Sequence, residues 1–553
     1  MTSSIAKELA KGQRAISVAE FFEKNRHLLG FANKAQSLLT SVKEAVDNSL
    51  DACEEANVLP DINVELKEVK KNRFKLIIED NGPGIVKKQI APIFGKFLYG
   101  SKFESIGGKQ SRGQQGIGIS SVVLYAQLTT GKPTIVISKT SPKDEAHKFK
   151  IHIDTKTNEP EIVNAETSEW MKDHGTKIEF EIEAKYQESK QSVPEYIKET
   201  AVINPHAKIT YVGPDNKKLE FPRVSEKLPK KAKKIRPHPH GVELGILKRM
   251  LKATTARSLK SFLTKEFDKV GSGTANEIVK KSELDPKILP RLLTGEQMEQ
   301  LLNAVQDTKI MNPSMDCLSP IGAEILKNSV EAEYDIDFVH AITRPTTVYR
   351  GMPFQIECAI GYGGSLNPEG RVGLMRFANK VPLLYQQGAC AISKAVSDVN
   401  WKSYGLQQSS GSLPNGPAVI LVHMASVWVP YTSEGKEAIA SYPAIIKEIK
   451  LAVQECGRFL QRYVSKKKKA AFEAAKKEKF KGYAQELAIA LSKLTGKPME
   501  EIHKKITEIA DTKFSKFEEE LDEMEEKSKV KPKEELEEEE ESEEVEQNGN
   551  NYQ

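Results

Sequence analysis

Apolar residues recur every three or four positions over residues 35–55, which predicts an amphipathic helix. The stripe consists of Leu38, Leu39, Val42, Ala45, Val46 and Leu50. Glu44, Asn48 and Asp51 follow at spacings of four and three residues, so they share one face of this helix. A carboxylate can orient and deprotonate a water, and a carboxamide oxygen one turn away is a suitable Mg²⁺ ligand. Taken alone, the same face also fits an ordinary solvated surface.

A second apolar run predicts a buried strand that ends in an acidic turn. Residues 74–79 are rich in aliphatic side chains and lead directly into Asp80-Asn81-Gly82-Pro83-Gly84. An aspartate held on such a turn can accept a hydrogen bond from an exocyclic amine, as on adenine. An ordinary strand-ending turn explains the same residues.

Glycines precede a third predicted element, a helix that begins near Ile119. Gly113, Gly116 and Gly118 stand directly before this apolar run. Glycines let backbone N–H groups approach phosphate oxygens, and a helix N-terminus favours the same charge. A flexible loop is the alternative.

A P-loop does not explain these glycines. Gly108-Lys109 is followed by Gln110 where a P-loop has Ser or Thr, and Phe103 occupies the position of the required earlier glycine. Any phosphate site here must therefore be of another kind.

Patterns further along the chain predict four regions. Their boundaries are 1–228, 229–307, 308–470 and 471–553. A Pro-rich cationic segment at 229–241 marks the first boundary. Apolar spacing over 242–306 is helical, with a break at 270–274.

The C-terminal half changes character twice. Strand-like runs alternate with short helices from 310 to 429, and helical spacing then predicts a long helix from about Ser433 through Leu460. The basic cluster at 466–469 either touches DNA or keeps this helix soluble. The Glu-rich residues 534–553 cannot bury a core and are expected to be disordered.

Composition adds expectations about size and location. A chain of 553 residues suggests three or four domains at about 150 residues each. Its five cysteines lack paired spacing, which argues against a disulfide framework or zinc site and for a reducing compartment. No apolar run approaches the roughly 18 residues of a membrane span, and the N-terminus lacks a signal core. We expect a cytoplasmic, nucleoid-associated protein.

Net charge conceals an asymmetry along the chain. The formal charge is +5, but residues 518–546 carry 17 acids and four lysines, or −13, which leaves +18 elsewhere. A body of that charge is compatible with a polyanionic partner, although the excess is modest for its length.

Taken together, these motifs resemble the GHKL ATPases, and within them the B subunits of archaeal type IIB DNA topoisomerases (topoisomerase VI). The similarity covers nearly the whole chain except the C-terminal tail. It is most specific in Asn48-Ser49-Leu50-Asp51-Ala52, Leu98-Tyr99-Gly100-Ser101-Lys102, Ser111-Arg112-Gly113-Gln114-Gln115-Gly116-Ile117-Gly118, Ala378-Asn379-Lys380-Val381-Pro382-Leu383 and Pro430-Tyr431-Thr432-Ser433-Glu434-Gly435-Lys436-Glu437.

The resemblance implies an α/β multidomain fold. Its parts are a GHKL (Bergerat) ATPase α/β sandwich with an N-terminal strap, a helical helix–two-turn–helix insert, and a ribosomal S5-like transducer domain with a long C-terminal helix. A helical and then acidic disordered tail follows.

The resemblance also implies ATP and Mg²⁺ as cofactors and assigns roles to individual residues. Glu44 would be the general base, Asn48 would bind Mg²⁺, and Asp80 would read the adenine amino group. Lys436 would be the switch lysine that reaches the γ-phosphate from a later domain. Some relatives carry Thr-Lys before the Pro-Tyr pair, where this chain has Val427-Trp428. Further nucleotide contacts are implied for Gly82, Gly84, Ser101, Lys102, Gly113, Gln114, Gln115, Gly116, Ile117, Gly118, Ile119, Ser120 and Thr176.

The implied function is ATP-driven gating of double-strand passage, in relaxation of supercoils and decatenation. ATP binding would bring two B subunits together around a duplex, with part of the segment before Phe21 reaching across the dimer. The sequence shows no convincing acidic Toprim-type constellation, so DNA cleavage would come from the topoisomerase VI A subunit in an A₂B₂ heterotetramer.

Contacts to double-stranded DNA are expected in the helical insert, whose basic residues could follow phosphates without reading sequence. These residues are Lys248, Arg249, Lys252, Arg257, Lys260, Lys265 and Lys269. A helical spacer with a solvated basic face is the alternative. Two alternatives remain for the whole chain. One is another kind of GHKL ATPase, either a chaperone or a mismatch-repair protein. The other is a DNA-binding scaffold that no longer hydrolyses nucleotide.

Overall fold

The computed structural model describes residues 2–100, 108–113, 116–433 and 435–509. Four residues with an expected nucleotide role, Ser101, Lys102, Gln114 and Gln115, lie outside these ranges, as does the tail expected to be disordered. The chain forms two compact units, one up to Arg458 and one from Phe459 onwards.

An eight-stranded sheet forms the framework of the N-terminal half. Its strands are β1 (Asp61–Lys70), β2 (Arg73–Glu79), β3 (Thr134–Lys139), β4 (Ala146–Asp154), β5 (Glu159–Ser168), β6 (Gly175–Glu183), β7 (Lys208–Val212) and β8 (Lys218–Phe221). The strand order is β5-β4-β3-β6-β2-β1-β7-β8, with β1 and β7 parallel and the other neighbours antiparallel. Buried positions alternate along β2 and β6, as expected for a sheet whose core lies on one face.

Helices accompany this sheet, and those after the first contribute to the core on its inner face. They are α1 (Thr2–Lys11), α2 (Val18–Lys24), α3 (Lys34–Ala56), α4 (Lys87–Gly95), α5 (Gly118–Thr130) and α6 (Val193–Ile203). The helix predicted over 35–55 is confirmed as α3, and its apolar stripe is buried in the core shared with the sheet. The Asn33 side chain accepts from the N–H groups of Ala35 and Gln36 and so caps the helix.

The other two N-terminal predictions are also confirmed. The strand predicted over 74–79 is β2, which ends at Glu79 immediately before Asp80. The helix predicted near Ile119 is α5, which begins at Gly118. The acidic turn and the glycine segment thus both lie at the ends of elements that pack against α3 or its sheet.

A helical insert follows the Pro-rich segment and buries its own core. Its helices are α7 (Leu244–Ala253), α8 (Leu259–Glu266), α9 (Ser272–Ser282) and α10 (Gly295–Gln306). The predicted break is shorter than expected, because α9 already begins at Ser272 with Gly271 as its N-cap. The Thr294 side chain and Gln297 form a capping box at the start of α10.

A second, six-stranded sheet occupies the region after the insert. Its strands are β9 (Phe338–Thr343), β10 (Thr347–Tyr349), β11 (Met352–Tyr362), β12 (Gly373–Ala378), β13 (Val381–Pro382) and β14 (Ala418–Ser426), accompanied by helices α11 (Ala323–Glu333) and α12 (Ala391–Ser397). The order is β10-β11-β14-β12-β13, and β9 also pairs with β11. Strand β14 is buried along its whole length, and it runs parallel to β12.

The long final helix, α13 (Pro443–Thr495), begins ten residues later than the expected start at Ser433. The described residues before Pro443 form a loop with an antiparallel bridge between Tyr431 and Ile439, and Lys436 has a left-handed backbone with φ 53°. The predicted helix therefore does not form before Pro443, because the chain there pairs Tyr431 with Ile439 instead. Pro443 suits a first helical position, where no N–H is needed.

The second unit contains the remainder of α13 from Phe459 and a further helical segment over 499–509. None of the helices in the described ranges combines the length and the apolar character that a bilayer crossing requires.

Candidate functional site

A pocket of about 540 Å³ opens beside α3 in the first unit. Residues of α3, α4, α5 and β6 line it, together with the turn after β2 and the loop before α13. Its polar lining includes Glu44, Asn48, Ser49, Asp80, Thr176 and Lys436, with backbone from Gly84, Gly113, Gly116 and Gly118. Its apolar walls include Ile85, Ile93, Phe94 and Ile178, which could enclose a flat aromatic ring.

Asp80 is held at the base of the pocket by three donors. The N–H groups of Gly82 and Thr176 donate to Oδ1 at 2.9 and 3.0 Å, and the Ser49 hydroxyl donates to Oδ2 at 2.8 Å. Burial raises the pKa of Asp80, although these three hydrogen bonds favour the carboxylate. The fixed carboxylate leaves acceptor capacity for one amine in the pocket.

Two glycines allow close approaches around this carboxylate and its neighbour. A Cβ on Gly175, where φ is 138°, would lie 2.3 Å from the Asp80 carbonyl oxygen. A Cβ on Gly118 would lie 1.9 Å from Glu44 Oε2. The first glycine lets β6 approach the turn, and the second lets the start of α5 approach the Glu44 carboxylate.

Glu44 faces Lys436 across the pocket. Lys436 Nζ lies 3.6 Å from Glu44 Oε1, and both side chains are nearly buried. Burial by itself would lower the pKa of Lys436, but the carboxylates of Glu44 and Asp47 raise it above its usual range. The lysine is therefore protonated at any physiological pH.

The Lys436 loop is fastened to α3 by two further side chains. Lys43 Nζ donates to the Gly435 carbonyl at 2.8 Å. The Gln36 amide donates to the Glu437 carboxylate, which also accepts from the Gln386 amide. Burial and the nearby Lys436 charge lower the pKa of Lys43 to about 8. The loop thus depends on α3 for its position.

Asp47 adds a second buried carboxylate behind Glu44. The Tyr196 hydroxyl donates to its Oδ1 at 3.0 Å, while Oδ2 has no hydrogen-bond partner within the described part of the chain. Burial raises the pKa of Asp47 to about 6. Asp47 and Glu44 together place negative charge next to Lys43 and Lys436, and the four charges balance.

Two family models match the chain. Residues 36–180 match the histidine kinase-, DNA gyrase B- and HSP90-like ATPase family, and residues 313–477 match the topoisomerase VI B subunit transducer family. The first match contains Glu44, Asn48 and Asp80, and the second contains Lys436.

Whole proteins give the same assignment. The B subunit of type 2 DNA topoisomerase 6 from Methanococcoides burtonii is 53% identical over 467 residues, which cover 84% of this chain and 75% of that protein. The protein of the same name from Archaeoglobus fulgidus is 54% identical over 455 residues, 82% of this chain and 75% of its own. The one from Thermococcus gammatolerans is 37% identical over 563 residues, 93% and 98% respectively. This chain belongs to the family of type 2 DNA topoisomerase 6 B subunits.

Membership of the topoisomerase 6 B-subunit family confirms the expected α/β multidomain fold with a GHKL ATPase region and a transducer. A GHKL ATPase region implies nucleotide binding. The pocket beside α3 lies mostly in this region and, among the residues that the structure describes, receives Lys436 alone from the transducer.

Most of the residues that were expected to contact nucleotide, and which the structure describes, line this pocket. Gly82 and Ser120 do not: the Gly82 N–H donates to Asp80, and the Ser120 hydroxyl donates to the Ile117 carbonyl at 3.1 Å, while Ser121 lines the pocket. Asp51 also points elsewhere, since it pairs with Arg112 at 2.8 Å. Trp428 does not line the pocket either.

Sequence reasoning did not assign a role to Ser49 and Lys43. Ser49 is inside the quoted motif, and its position one residue after Asn48 directs it to Asp80 on the inner side of α3. Lys43 is a buried lysine next to Glu44, and such a residue needs a partner. The apolar residues that line the pocket could not be distinguished from ordinary core residues by their spacing in the sequence.

The basic residues of the helical insert lie largely at the surface. Lys248, Arg249, Lys252, Arg257 and Lys265 are exposed, and Lys260 and Lys269 are half-buried. Their exposure is compatible with a DNA contact and equally with a solvated spacer.

Proposed function

We propose that this chain is the ATP-binding and ATP-hydrolysing subunit of a type IIB DNA topoisomerase, which gates double-strand passage while an A subunit cleaves the DNA. The observation that carries this proposal is the convergence of Glu44, Asn48, Asp80 and Lys436 on one pocket. Three of them come from the ATPase region and one from the transducer. The names of the relatives support the same reaction.

Asp80 is the residue we assign to base recognition. Its carboxylate is fixed by Ser49, Gly82 and Thr176, so an adenine amino group can donate to it without any rearrangement of the protein. Ile93 and Phe94 among the apolar walls suit the faces of the ring. Thr176 lines the pocket beside this acceptor, with its hydroxyl 3.1 Å from that of Ser138.

Phosphate binding is assigned to the glycine segment and the start of α5. Gly116, Ile117 and Gly118 line the pocket where α5 begins, and a helix N-terminus offers unpaired N–H groups to anions. Gly113 stands at the entrance of this segment, and a Cβ there would meet nothing within 4 Å. Ser101, Lys102, Gln114 and Gln115 remain predicted contacts outside the described residues.

Asn48 is the residue we assign to Mg²⁺. Its carboxamide lines the pocket one turn from Glu44 and has no partner among the described residues, so its oxygen is available to a hard cation. Bound Mg²⁺ would neutralise charge on the phosphates. Glu44 would orient and deprotonate the attacking water, since its carboxylate stands against the N-terminus of α5.

Lys436 would couple nucleotide state to the transducer. The carboxylates of Glu44 and Asp47 raise its pKa above the usual range, so it is charged, and its Nζ lies 3.6 Å from Glu44 Oε1. A γ-phosphate carries more negative charge than one carboxylate, so it would compete for this lysine. The transducer loop would then follow the phosphate, which is a differential contact between two states.

The remaining assembly is proposed from the family. The name that its members share, a B subunit of a DNA topoisomerase, implies partnership with an A subunit and DNA. We propose an A₂B₂ heterotetramer in which ATP binding drives dimerisation of the B subunits, with the segment before Phe21 reaching across the dimer. The exposed basic residues of the helical insert would follow the duplex backbone.

The decisive experiment measures ATP turnover by the full chain with and without the A subunit and duplex DNA. We expect DNA-stimulated turnover in the native protein and a loss of about 10²–10⁴-fold in Glu44→Gln, because a general base contributes that much. Glu55→Gln, an exposed substitution near the end of the same helix, is the matched control and should turn over normally.

Two results would overturn the proposal in different ways. Normal turnover by Glu44→Gln would remove the assignment of the active site. Turnover by the native protein that ignores both DNA and the A subunit would leave a nucleotide-hydrolysing protein without the topoisomerase role.

A further inference from the structure

The two-residue turn between β12 and β13 contains a residue type that is unusual for its backbone conformation. Asn379 and Lys380 both have left-handed conformations, with φ of 49° and 64°. Consecutive left-handed residues are typical of a tight hairpin, where Asn-Gly is the favoured pair. A lysine in place of glycine costs backbone free energy. Lys380 is also buried, at 3% exposure, so its side chain should have a specific partner.

Lys380 reaches across to α3 in the ATPase region. Its Nζ donates to the Ser319 hydroxyl at 3.1 Å and lies 3.5 Å from Glu54 Oε2. Glu54 is on α3, ten residues after Glu44. Despite its burial, the pKa of Glu54 is held well below the usual range by Arg112 and Lys380. This carboxylate is therefore ionised and depends on both cations.

Arg112 connects the same cluster to the glycine segment. It donates to Glu54 at 2.6 Å and to Asp51 at 2.8 Å, and it is the residue directly before Gly113. The Asn379 amide donates to the carbonyl of Ser111, one residue earlier, at 3.1 Å. Asn379 therefore contacts the start of the segment assigned to phosphate binding directly. Lys380 reaches it through Glu54, which pairs with Arg112.

The turn is fixed to the second sheet from behind. The Lys380 N–H donates to His423 Nε2 at 3.0 Å, so Nδ1 carries the proton that is donated to Glu357 at 2.8 Å. Glu357 is fully buried on β11 and also accepts the N–H groups of Ile321 and Gly322. Asn379 exchanges hydrogen bonds with the backbone of Ser426 at the end of β14. A displacement of this sheet would therefore carry the turn with it.

We propose that the Asn379-Lys380 turn is a second coupling contact, separate from Lys436, that positions the glycine segment and the C-terminal part of α3 relative to the transducer sheet. The inference rests on the proposed function, because it gives the turn a role in the same nucleotide cycle. Lys380 is a positioning residue that acts through Glu54 and Arg112. When phosphates bind at the start of α5, a shift of Ser111 and Arg112 is transmitted by the turn to β11 and β14.

The test compares full-length variants assembled with the A subunit. Lys380→Met removes the charge at Glu54, Lys380→Arg restores it, and Lys394→Met replaces an exposed lysine of the same region as a control. Asn379→Gly keeps the left-handed backbone but removes the side-chain contacts with Ser111 and with Ser426, and so breaks the link between the two. For each variant we would measure the affinity for a non-hydrolysable ATP analogue, ATP turnover, and supercoils relaxed per ATP hydrolysed.

We expect Lys380→Met and Asn379→Gly to bind the analogue within about threefold of the native protein but to relax at least about tenfold fewer supercoils per ATP. Lys380→Arg should recover most of this ratio, and Lys394→Met should not change it. The analogue should also slow hydrogen exchange in β11 and β14 of the native protein and not in Lys380→Met, which a purely structural role would not produce.

An unchanged ratio of relaxation to hydrolysis in both Lys380→Met and Asn379→Gly would overturn the inference. So would a loss in Lys380→Met that arginine does not restore and that follows a lower unfolding temperature. If Lys380→Met does not fold, Asn379→Gly decides the question by the same ratio. Failure of the native protein to bind or hydrolyse ATP would instead refute the proposed function, and the inference with it.

Discussion

Replacing Asp80 by asparagine separates base recognition from folding. Asparagine with its carbonyl at the Oδ1 position still accepts the N–H groups of Gly82 and Thr176. The Ser49 hydroxyl, which donates to Oδ2, can rotate to accept from the new amide. Since burial raises the pKa of Asp80, the ionised carboxylate is costly to bury, and its neutral replacement should not lower the free energy of unfolding.

The lost interaction is the acceptor for the adenine amino group. A hydrogen bond to a charged group contributes about 1.5–3 kcal/mol, so ATP should bind about 10–150-fold more weakly to Asp80→Asn. The substituted side chain presents an N–H donor where the acceptor stood. Guanine carries an acceptor oxygen at the equivalent ring position, so the preference for ATP over GTP should fall more steeply than the affinity for ATP.

Calorimetric titration with non-hydrolysable ATP and GTP analogues measures both quantities, and thermal unfolding reports the fold. Asp144→Asn, which alters an exposed aspartate held by Thr140 and Ser141 outside the nucleotide pocket, is the matched control. Native affinity for ATP in a folded Asp80→Asn would refute the assignment. An equal loss for both nucleotides, with a lower unfolding temperature, would show that Asp80 serves the fold instead.

Three further outcomes follow from the contacts around the pocket. Lys436→Met should lower the catalytic rate about 100-fold with little change in ATP affinity, as measured by single-turnover hydrolysis and titration; an equal loss of both would contradict the switch role. Gly118→Ala would place a Cβ 1.9 Å from Glu44 Oε2, so turnover should fall about 100-fold, whereas Gly245→Ala, with open space around the Cβ, should remain active. Burial and then the Glu195 charge raise the pKa of Glu199 to about 8. The folded protein therefore favours the protonated acid, and the stability it contributes is present below the ordinary glutamate pKa and lost as pH rises towards 8. Glu199→Gln should exceed the native protein in free energy of unfolding at pH 8 by up to about 5 kcal/mol and match it near pH 4; a difference that does not vary with pH in urea unfolding would contradict this.

Local patterns in the sequence were sufficient to predict the elements in which buried positions recur at a regular spacing. The stripe on α3 and the aliphatic run of β2 are local signals, because each reflects one face packed on one core. The predicted start of α13 at Ser433 was wrong. The pairing of Tyr431 with Ile439 competes with helix formation, and no local sequence pattern indicates that pairing. The domain boundaries and the individual nucleotide roles remain predictions.

Contacts between distant segments were beyond the sequence pattern. Lys436 was expected near the nucleotide only through resemblance, because a lysine in a Ser-Glu-Gly-Lys loop is indistinguishable from a surface residue. Lys380 was quoted within a motif without any role, and its burial against Glu54 becomes visible only when the second sheet is placed beside α3. Lys380 is identified by its burial in the structure, because a buried lysine needs a partner for its charge.

The two lysines matter more together than either does alone. Lys436 meets Glu44 and Lys380 meets Glu54, ten residues apart on α3 and thus about 15 Å along the helix axis. A single contact would let the second sheet pivot about one point without displacing the helix. Two contacts on one rigid helix remove that freedom, so any reorientation of the sheet must either tilt α3 or break one of the ion pairs. Because a γ-phosphate would compete with Glu44 for Lys436, that end is the one where nucleotide state changes the contact, and the Lys380 contact passes the resulting movement between α3 and the sheet.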